Sequence, residues 1–338
     1  MKRRRIVKLV DGDVLRYGEN PHQTAVAWGL PGIPRPVQHH GKPQSLTNKI
    51  DLDAAYRIVF QFDEPAAAVI KHTGPCGVAA LDASTAAVYI LAREADRKSA
   101  YGGVVALNRR LDVDTAREIS RTFIECVIAP EVDDDALEIL RKKEDLRVVT
   151  CDPSVLQLME MRTALGELLE QDADQVLEAR GAWDDGRVGP DPGQFTIPTK
   201  RGPTGEEWAA LRFAWRVCAF VKSNAVVLTG GHVTLGLGGG RPNRHDSSKI
   251  ARGYLGVQFV PTKQGEEVVK VIPPPVQPWC VGASDAFFPK RDGLLELAYA
   301  GATAVVHPGG SKQDAESIEV ANDFNMAMVM TGRRHFRH

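Results

Sequence analysis

A chain of 338 residues, 43% of them hydrophobic, is long enough for about two domains with sizeable cores. Its 42 Lys and Arg balance 43 Asp and Glu, which excludes the cationic surplus that drives sequence-independent nucleic-acid binding, and no nucleic-acid partner is expected. No apolar run approaches the ~20 residues of a membrane helix and the N-terminus lacks the apolar core of a signal peptide, so a cytoplasmic location and no membrane partner are expected.

The Met1-Lys2-Arg3-Arg4-Arg5 cluster reads as a solvated terminus. Five cysteines (Cys76, Cys126, Cys151, Cys218 and Cys280) at wide, irregular gaps argue against a disulfide framework and against Cys-x-x-Cys zinc sites, so they are expected to be reduced and mostly buried.

Leu15-Arg16-Tyr17-Gly18-Glu19-Asn20-Pro21-His22-Gln23 is dense in polar groups and carries an Asn-Pro turn signal. It is either a surface turn or an arm presenting Arg16 and Tyr17 to an anionic, planar ligand. Apolar spacing and an acidic first turn predict a helix over 51–60. Next comes Ala67-Ala68-Val69-Ile70-Lys71-His72, a run of small and β-branched residues that reads as a buried strand ending in Lys71 and His72, with Gly74-Pro75 and Cys76-Gly77 stopping it in a turn. A titratable pair on a rigid strand end is well placed to act on a ligand.

Helices are then predicted at 84–95, 115–122 and 134–141, alternating with strands at 104–107, 126–129 and 146–150, and this alternation implies a layered α/β sheet. Gly102-Gly103 reads as a tight entry to the first of those strands. Residues 152–203 show little pattern beyond a short helical piece, and their middle is taken as the connection between lobes.

The second half reopens with a helix over 206–221. Strands at 224–228 and 233–237 flank Thr229-Gly230-Gly231-His232, a hairpin by its turn chemistry. Gly238-Gly239-Gly240-Arg241-Pro242-Asn243-Arg244 follows, where glycines let backbone N–H groups approach a ligand and Arg244 adds charge. It is neither a Walker loop nor a dinucleotide fingerprint. The proline-rich 253–282 segment reads as an extended excursion. Helices near 294–300 and 316–323 and strands at 303–306 and 327–330 restore the alternation, and the Arg333-Arg334-His335-Phe336-Arg337-His338 tail is either disordered or part of a site.

Taken together, the Arg16-Tyr17 segment, Lys71-His72, Ser99-Ala100-Tyr101-Gly102-Gly103, Lys222-Ser223-Asn224, the Gly238 to Arg244 loop, Ser284-Asp285-Ala286-Phe287-Phe288-Pro289 and the Arg-x-Phe-x-His ending resemble one family, in order, over nearly the whole chain. It is the transformylase portion of the bifunctional purine biosynthesis proteins, which formylates aminoimidazole carboxamide ribotide (AICAR) with 10-formyltetrahydrofolate as co-substrate and without a metal.

The resemblance implies two cytidine-deaminase-like α/β/α lobes, placed at 1–172 and 173–338, and a homodimer with sites between subunits. It implies catalytic roles for Lys71, His72 and Asn224. Substrate contacts are implied for Arg16, Tyr17, Gly102, Glu125, Gly239, Arg244, Phe287, Arg334 and His338. Two departures are visible: Gly74 stands where the family keeps Asn or Ser, and the 253–282 segment does not match the family's shorter connection. Because Arg16 lies so near the first residue, a stand-alone transformylase is expected, with a separate IMP cyclohydrolase acting on its product.

The chemistry of the residues agrees. The amine of AICAR is delocalised into its ring and needs proton removal, work suited to an imidazole titrating near neutrality, while lysine and asparagine suit stabilisation of an oxyanion. Arginines at 16, 244 and 334 suit a phosphate. A zinc nucleobase deaminase is the less fitting alternative, since His72 is followed by Thr73-Gly74 and Cys76 by Gly77-Val78-Ala79 rather than by the required Glu and second Cys. A non-catalytic AICAR- or purine-nucleotide-binding protein is the other alternative.

Overall fold

The computed structural model describes residues 7–156, 159–179, 183, 195–255, 257–262, 265–270 and 279–338. The chain opens with an antiparallel ribbon, β1 (Val10–Val14) with β2 (Val26–Gly29), followed by the short β3 (Val37–His40). Helix α1 (Leu46–Val59) starts earlier than its acidic turn suggests, because Ser45 and Asn48 form a reciprocal capping box: each side chain accepts the other's backbone N–H.

Then come β4 (Ala66–Lys71), β5 (Gly74–Ala80), α2 (Thr85–Ala95), the one-turn α3 (Arg97–Ala100), β6 (Gly103–Leu107), α4 (Val113–Ser120), β7 (Ile124–Ala129), α5 (Asp134–Arg141) and β8 (Arg147–Thr150). A separate hairpin, β9 (Met159–Ala164) with β10 (Glu167–Asp172), lies in the stretch expected to be an irregular connection. The second half runs α6 (Gly205–Cys218), β11 (Val226–Gly230), β12 (Val233–Gly238), α7 (Arg244–Gly253), a hairpin of β13 (Val257–Thr262) with β14 (Gly265–Lys270), β15 (Cys280–Ser284), α8 (Arg291–Tyr299), β16 (Ala302–His307), α9 (Asp314–Asp323) and β17 (Ala327–Met330). Much of the proline-rich excursion, including 271–278, lies outside the described residues.

Eleven strands form one mixed sheet in the order β17-β16-β15-β11-β12-β5-β4-β6-β7-β8-β3. Outward from its centre the two halves repeat one pattern. A helix leads into an antiparallel hairpin, the hairpin's first strand pairs antiparallel with the next strand, and two parallel strands follow through helices. The halves meet where β12 pairs antiparallel with β5, Val233 opposite Ala79.

The apolar run at 66–70 is continuous because both sheet faces are covered. Ala66, Ala68 and Ile70 point into a core shared by both halves under α1 and α6, while Ala67 and Val69 point into a second core under α2, α4 and α5. A third core lies under α7, α8 and α9. A fully buried Val, Leu or Ile stabilises the fold by about 1.5–3 kcal/mol relative to exposure, and Ile70, Val69, Leu107 and Val127 are all fully buried.

One expectation is corrected. The Gly74 to Gly77 stretch does not end the strand in a turn; the chain reverses at His72-Thr73, and residues 74–80 form β5 antiparallel to β4. Gly77 is there for proximity, since a Cβ on it would stand 2.0 Å from the Ala92 carbonyl oxygen of α2. The five cysteines are buried and unbridged. Among the described residues no helix is long and apolar enough to cross a membrane.

Candidate functional site

The strand directions bring one edge of the sheet together from both halves. The ends of β4, β12, β15, β16 and β17 and the beginnings of β5, β6, β7 and β11 all lie along it. Lys71, His72, Gly102, Glu125, Asn224, Gly239, Phe287 and Arg334 stand on or just beyond those strand ends, although they are scattered over more than 260 positions of sequence (334 minus 71).

In the first half, His72 and Thr73 turn the β4–β5 hairpin with φ of 53° and 62°. Left-handed backbone costs a non-glycine residue roughly 1–2 kcal/mol, so the turn needs outside support. Asp51 supplies it: its carboxylate accepts the Thr73 N–H at 2.7 Å. Burial raises the Asp51 carboxyl above its ordinary range, opposed by that N–H and by nearby His72. Exposed His72 is therefore fixed from beneath by an acid one helical turn from Asn48, whose amide donates to Glu125 at 3.2 Å.

Lys71 Nζ donates to the Tyr101 carbonyl at 2.9 Å, next to Gly102, whose φ of +74° suits glycine. Arg16 and Tyr17 sit beside the start of α1 through backbone bonds to Gln44 and Leu46, and the Arg16 guanidinium lies 5.3 Å from the Tyr17 ring centroid.

At the seam the two central strands part. The buried Thr234 hydroxyl accepts the Val78 N–H at 2.9 Å and donates to its carbonyl at 3.2 Å, and beyond it no register is kept. Pro75 has no N–H to offer a ladder. The gap is a cavity of about 310 Å³ lined by Lys71, His72, Gly74, Cys76, Gly239 and Arg241 among others. Burial pushes the Cys76 thiol up to about 12, so it is a protonated wall group rather than a thiolate.

In the second half a cavity of about 520 Å³ is lined by Asn224, Arg244, Phe287, Gly309, Arg334 and Phe336 among others. Arg244 is buried and its guanidinium is committed inward: it ion-pairs with Asp285, donates to Ser284 Oγ at 2.8 Å and to the Asn224 side-chain oxygen at 2.7 Å. The Asn224 amide donates to the Arg241 and Pro242 carbonyls at 2.9 and 3.1 Å, so its orientation is fixed at both ends. The Ser223-Asn224 peptide is cis.

Exposed Arg334 stacks on Phe336 at 4.5 Å, and the chain carrying them is held by buried His335, whose N–H donates to the Asp285 carbonyl at 3.0 Å. His335 Nδ1 and Nε2 meet Asp174 at 2.7 Å and Glu178 at 2.6 Å. Burial opposes its charge, but the two carboxylates outweigh it and raise it to about 9. The tail is thus ordered. Fully buried His307 is instead depressed to about 3 by burial and by Arg244, and as a neutral ring its Nδ1 accepts the Gly309 N–H that shapes the cavity wall.

Lys71 and Asn224 do not share a cavity in one chain. Lys71 ends β4 and Asn224 precedes β11, with β5, the seam cavity and β12 between them. His338 lines a smaller cavity of about 140 Å³ with Arg57, Arg162 and Phe220, which adjoins the 520 Å³ cavity at Phe336: the Phe336 ring lines both and its centroid is 5.6 Å from that of His338. Gly239 has a packing reason of its own, since a Cβ there would meet Val221 at 2.5 Å. Asp51 and Asp285 escaped sequence reasoning: one read as part of a helix start and the other as a neighbour of Phe287, and only the fold gives them partners.

The family model described as the AICARFT/IMPCHase bienzyme matches residues 2–253. Proteins named bifunctional purine biosynthesis protein PurH match along 96% of the chain, at 43% identity in Nostoc punctiforme and in Myxococcus xanthus and 44% in a Jannaschia species. The chain spans 58–60% of the length of these relatives. A family model covering most of the chain and this identity along nearly all of it lead to one conclusion: the chain belongs to the AICARFT/IMPCHase bienzyme family.

Proposed function

We propose that this chain transfers the formyl group of 10-formyltetrahydrofolate to the 5-amino group of AICAR, giving formyl-AICAR in purine biosynthesis. The observation that carries the reading is the gathering, in a chain of this family, of Lys71, His72 and Asn224 with an arginine-bearing, aromatic-lined cavity along one sheet edge. Arg334 and the N-terminal end of α7, which opens onto that cavity at Asn243 and Arg244, suit a phosphate. The 40% exposed ring of Phe287 suits a flat heterocycle.

In this mechanism His72 takes the proton of the attacking amine and Lys71 stabilises charge developing on the formyl oxygen, assisted by the Asn224 amide once it leaves the Arg241 and Pro242 carbonyls; as the formyl C–N10 bond breaks, the proton goes to N10 of the departing tetrahydrofolate. Arg244 acts on AICAR through Asn224 and the α7 end, as a positioning residue. Arg16, Tyr17, Gly102 and Glu125 line the nucleotide from the first half, and Gly239 lets backbone approach at the seam. His338, whose ring neighbours the Phe336 ring on which Arg334 stacks, acts from the adjoining cavity.

The placement of Lys71 and Asn224 in different cavities favours a homodimer in which the first half of one subunit faces the second half of the other. The repeated strand pattern favours two cytidine-deaminase-like lobes, divided near 172/173, and the activity belongs to the cytoplasm. Purified protein given AICAR and 10-formyltetrahydrofolate should form formyl-AICAR, and sedimentation of the active sample should give a dimer. Tight AICAR binding with no product would overturn the catalytic reading in favour of a nucleotide-binding protein.

A further inference from the structure

Helix α1 serves two places at once. Asn48 and Asp51, three residues apart on one face, serve the site edge described above. Lys49, Leu52, Asp53 and Tyr56, spaced i, i+3, i+4 and i+7, instead form one wall of a cavity of about 270 Å³. Its other walls come from Trp28 of β2, from Leu30 and Ile33 in the loop after it, and from Ile128, Cys151 and Leu156.

The walls are mostly aromatic and aliphatic, and most of the polar groups are already engaged. Arg35 binds Asp13 at 2.6 Å, Asp53 binds Arg57 at 2.7 Å, and the Tyr56 hydroxyl donates to the Cys151 carbonyl. Lys49 differs. Among the described residues its ammonium has no hydrogen bond or ion pair, although it is only partly exposed; Arg35 opposes its charge, while Asp13, already paired with Arg35, and Cys151 favour it. Burial, and after it the Arg35 charge, lowers its pKa and outweighs the weaker pull of Asp13, which is engaged with Arg35 and forms no ion pair with Lys49.

An apolar concavity with one convergent, uncommitted charge is the usual form of a small-molecule site. We propose that this cavity binds a planar aromatic molecule carrying a single anionic group, its rings held between Trp28, Leu52 and Tyr56 and its anion on Lys49. A neutral hydrocarbon would leave Lys49 unpaired, and a dianion would bring one charge too many for a single uncommitted ammonium.

The probe for this site is anilinonaphthalene sulfonate, a fluorescent aromatic monoanion, with uncharged phenylnaphthylamine as its partner. The full chain should bind one sulfonate molecule saturably, and excess AICAR should leave that binding unchanged. Lys49→Met, which keeps the apolar stem, should weaken sulfonate binding about ten- to a hundredfold, the worth of a charge-assisted contact, and leave phenylnaphthylamine binding unaltered. Leu30→Trp, which fills the cavity from a partly exposed wall, should weaken both probes. Sulfonate binding that fails to saturate, that AICAR displaces, or that either variant retains at full strength would overturn the proposal, as would a Lys49→Met chain that loses both probes alike. None of these readouts depends on formyl transfer.

Discussion

Arg244 and Asp285 form an ion pair of which the arginine side chain is 5% exposed and the aspartate not at all. Asp285 also accepts from Ser223 Oγ and from the Ala225 N–H at 3.1 Å, while its backbone carbonyl takes the His335 N–H. One residue, through its carboxylate and its backbone carbonyl, therefore ties together the start of β11, the end of β15 and the C-terminal tail. Removing either partner leaves a buried charge uncompensated, which costs about 3–5 kcal/mol. Asp285→Ala and Arg244→Ala should each lose that much in urea unfolding. The double variant should lose much less than the sum; additive losses would show that the pair is not coupled.

His335 makes stability depend on alkaline pH. Its folded pKa of about 9 lies above the ordinary value near 6.5, so its contribution is fully present below pH 6.5 and is lost as pH rises through 9. Because the ring is buried between Asp174 and Glu178, the contribution is on the order of a few kcal/mol. Melting temperature should fall between pH 6.5 and 9.5, more steeply in the native chain than in His335→Gln. Parallel curves for the two proteins would exclude His335 as the cause.

The two halves of the proposed site should separate kinetically. His72→Ala should lower turnover about 10²- to 10⁴-fold with little change in the KM for AICAR, as expected for loss of a general base. Arg334→Ala should chiefly raise KM, because it removes an exposed cation from the cavity without touching the hairpin. A His72→Ala enzyme with near-native single-turnover rates would refute the base assignment.

Asp51 is expected to act on His72 through the backbone. Asp51→Ala frees the Thr73 N–H and leaves two left-handed residues unsupported, so kcat should fall about tenfold while KM for AICAR moves less than about twofold. Asp51→Asn keeps an acceptor and should restore most of the rate. If both variants fall equally, the carboxylate's charge rather than the hydrogen bond is what matters.

Gly74 has room for a side chain. A Cβ there meets only the Lys71 carbonyl oxygen, at 3.6 Å, and the backbone is not left-handed. Gly74→Asn should fold with a melting temperature within about 2 °C of the native one, the usual range for an unstrained surface change, and alter kcat more than KM. Marked destabilisation would show that the hairpin needs glycine for a reason outside its immediate contacts.

The alternation of elements was legible in the sequence because it is local chemistry: the apolar run at 66–70, the Gly230-Gly231 turn and the 3.6-residue spacing in α6 each carry their own signal. The identities of the chemically active residues were legible for the same reason, since Lys71-His72 and the Arg16-Tyr17 segment are contiguous. Strand order was not. That β5 and β12 meet at Val233 and Ala79, and part again at Thr234 to leave a cavity, depends on which strands find each other across more than 150 residues (233 minus 79). The reversal at His72-Thr73 was hidden because left-handed backbone at two non-glycine residues is unfavourable on its own and becomes acceptable only when Asp51 arrives from another element. Arg244 shows the same limit. Sequence marked it as a cation beside a glycine loop, and tertiary structure decided that its charge turns inward to Asp285, since a buried guanidinium goes to the carboxylate that the fold sets beside it.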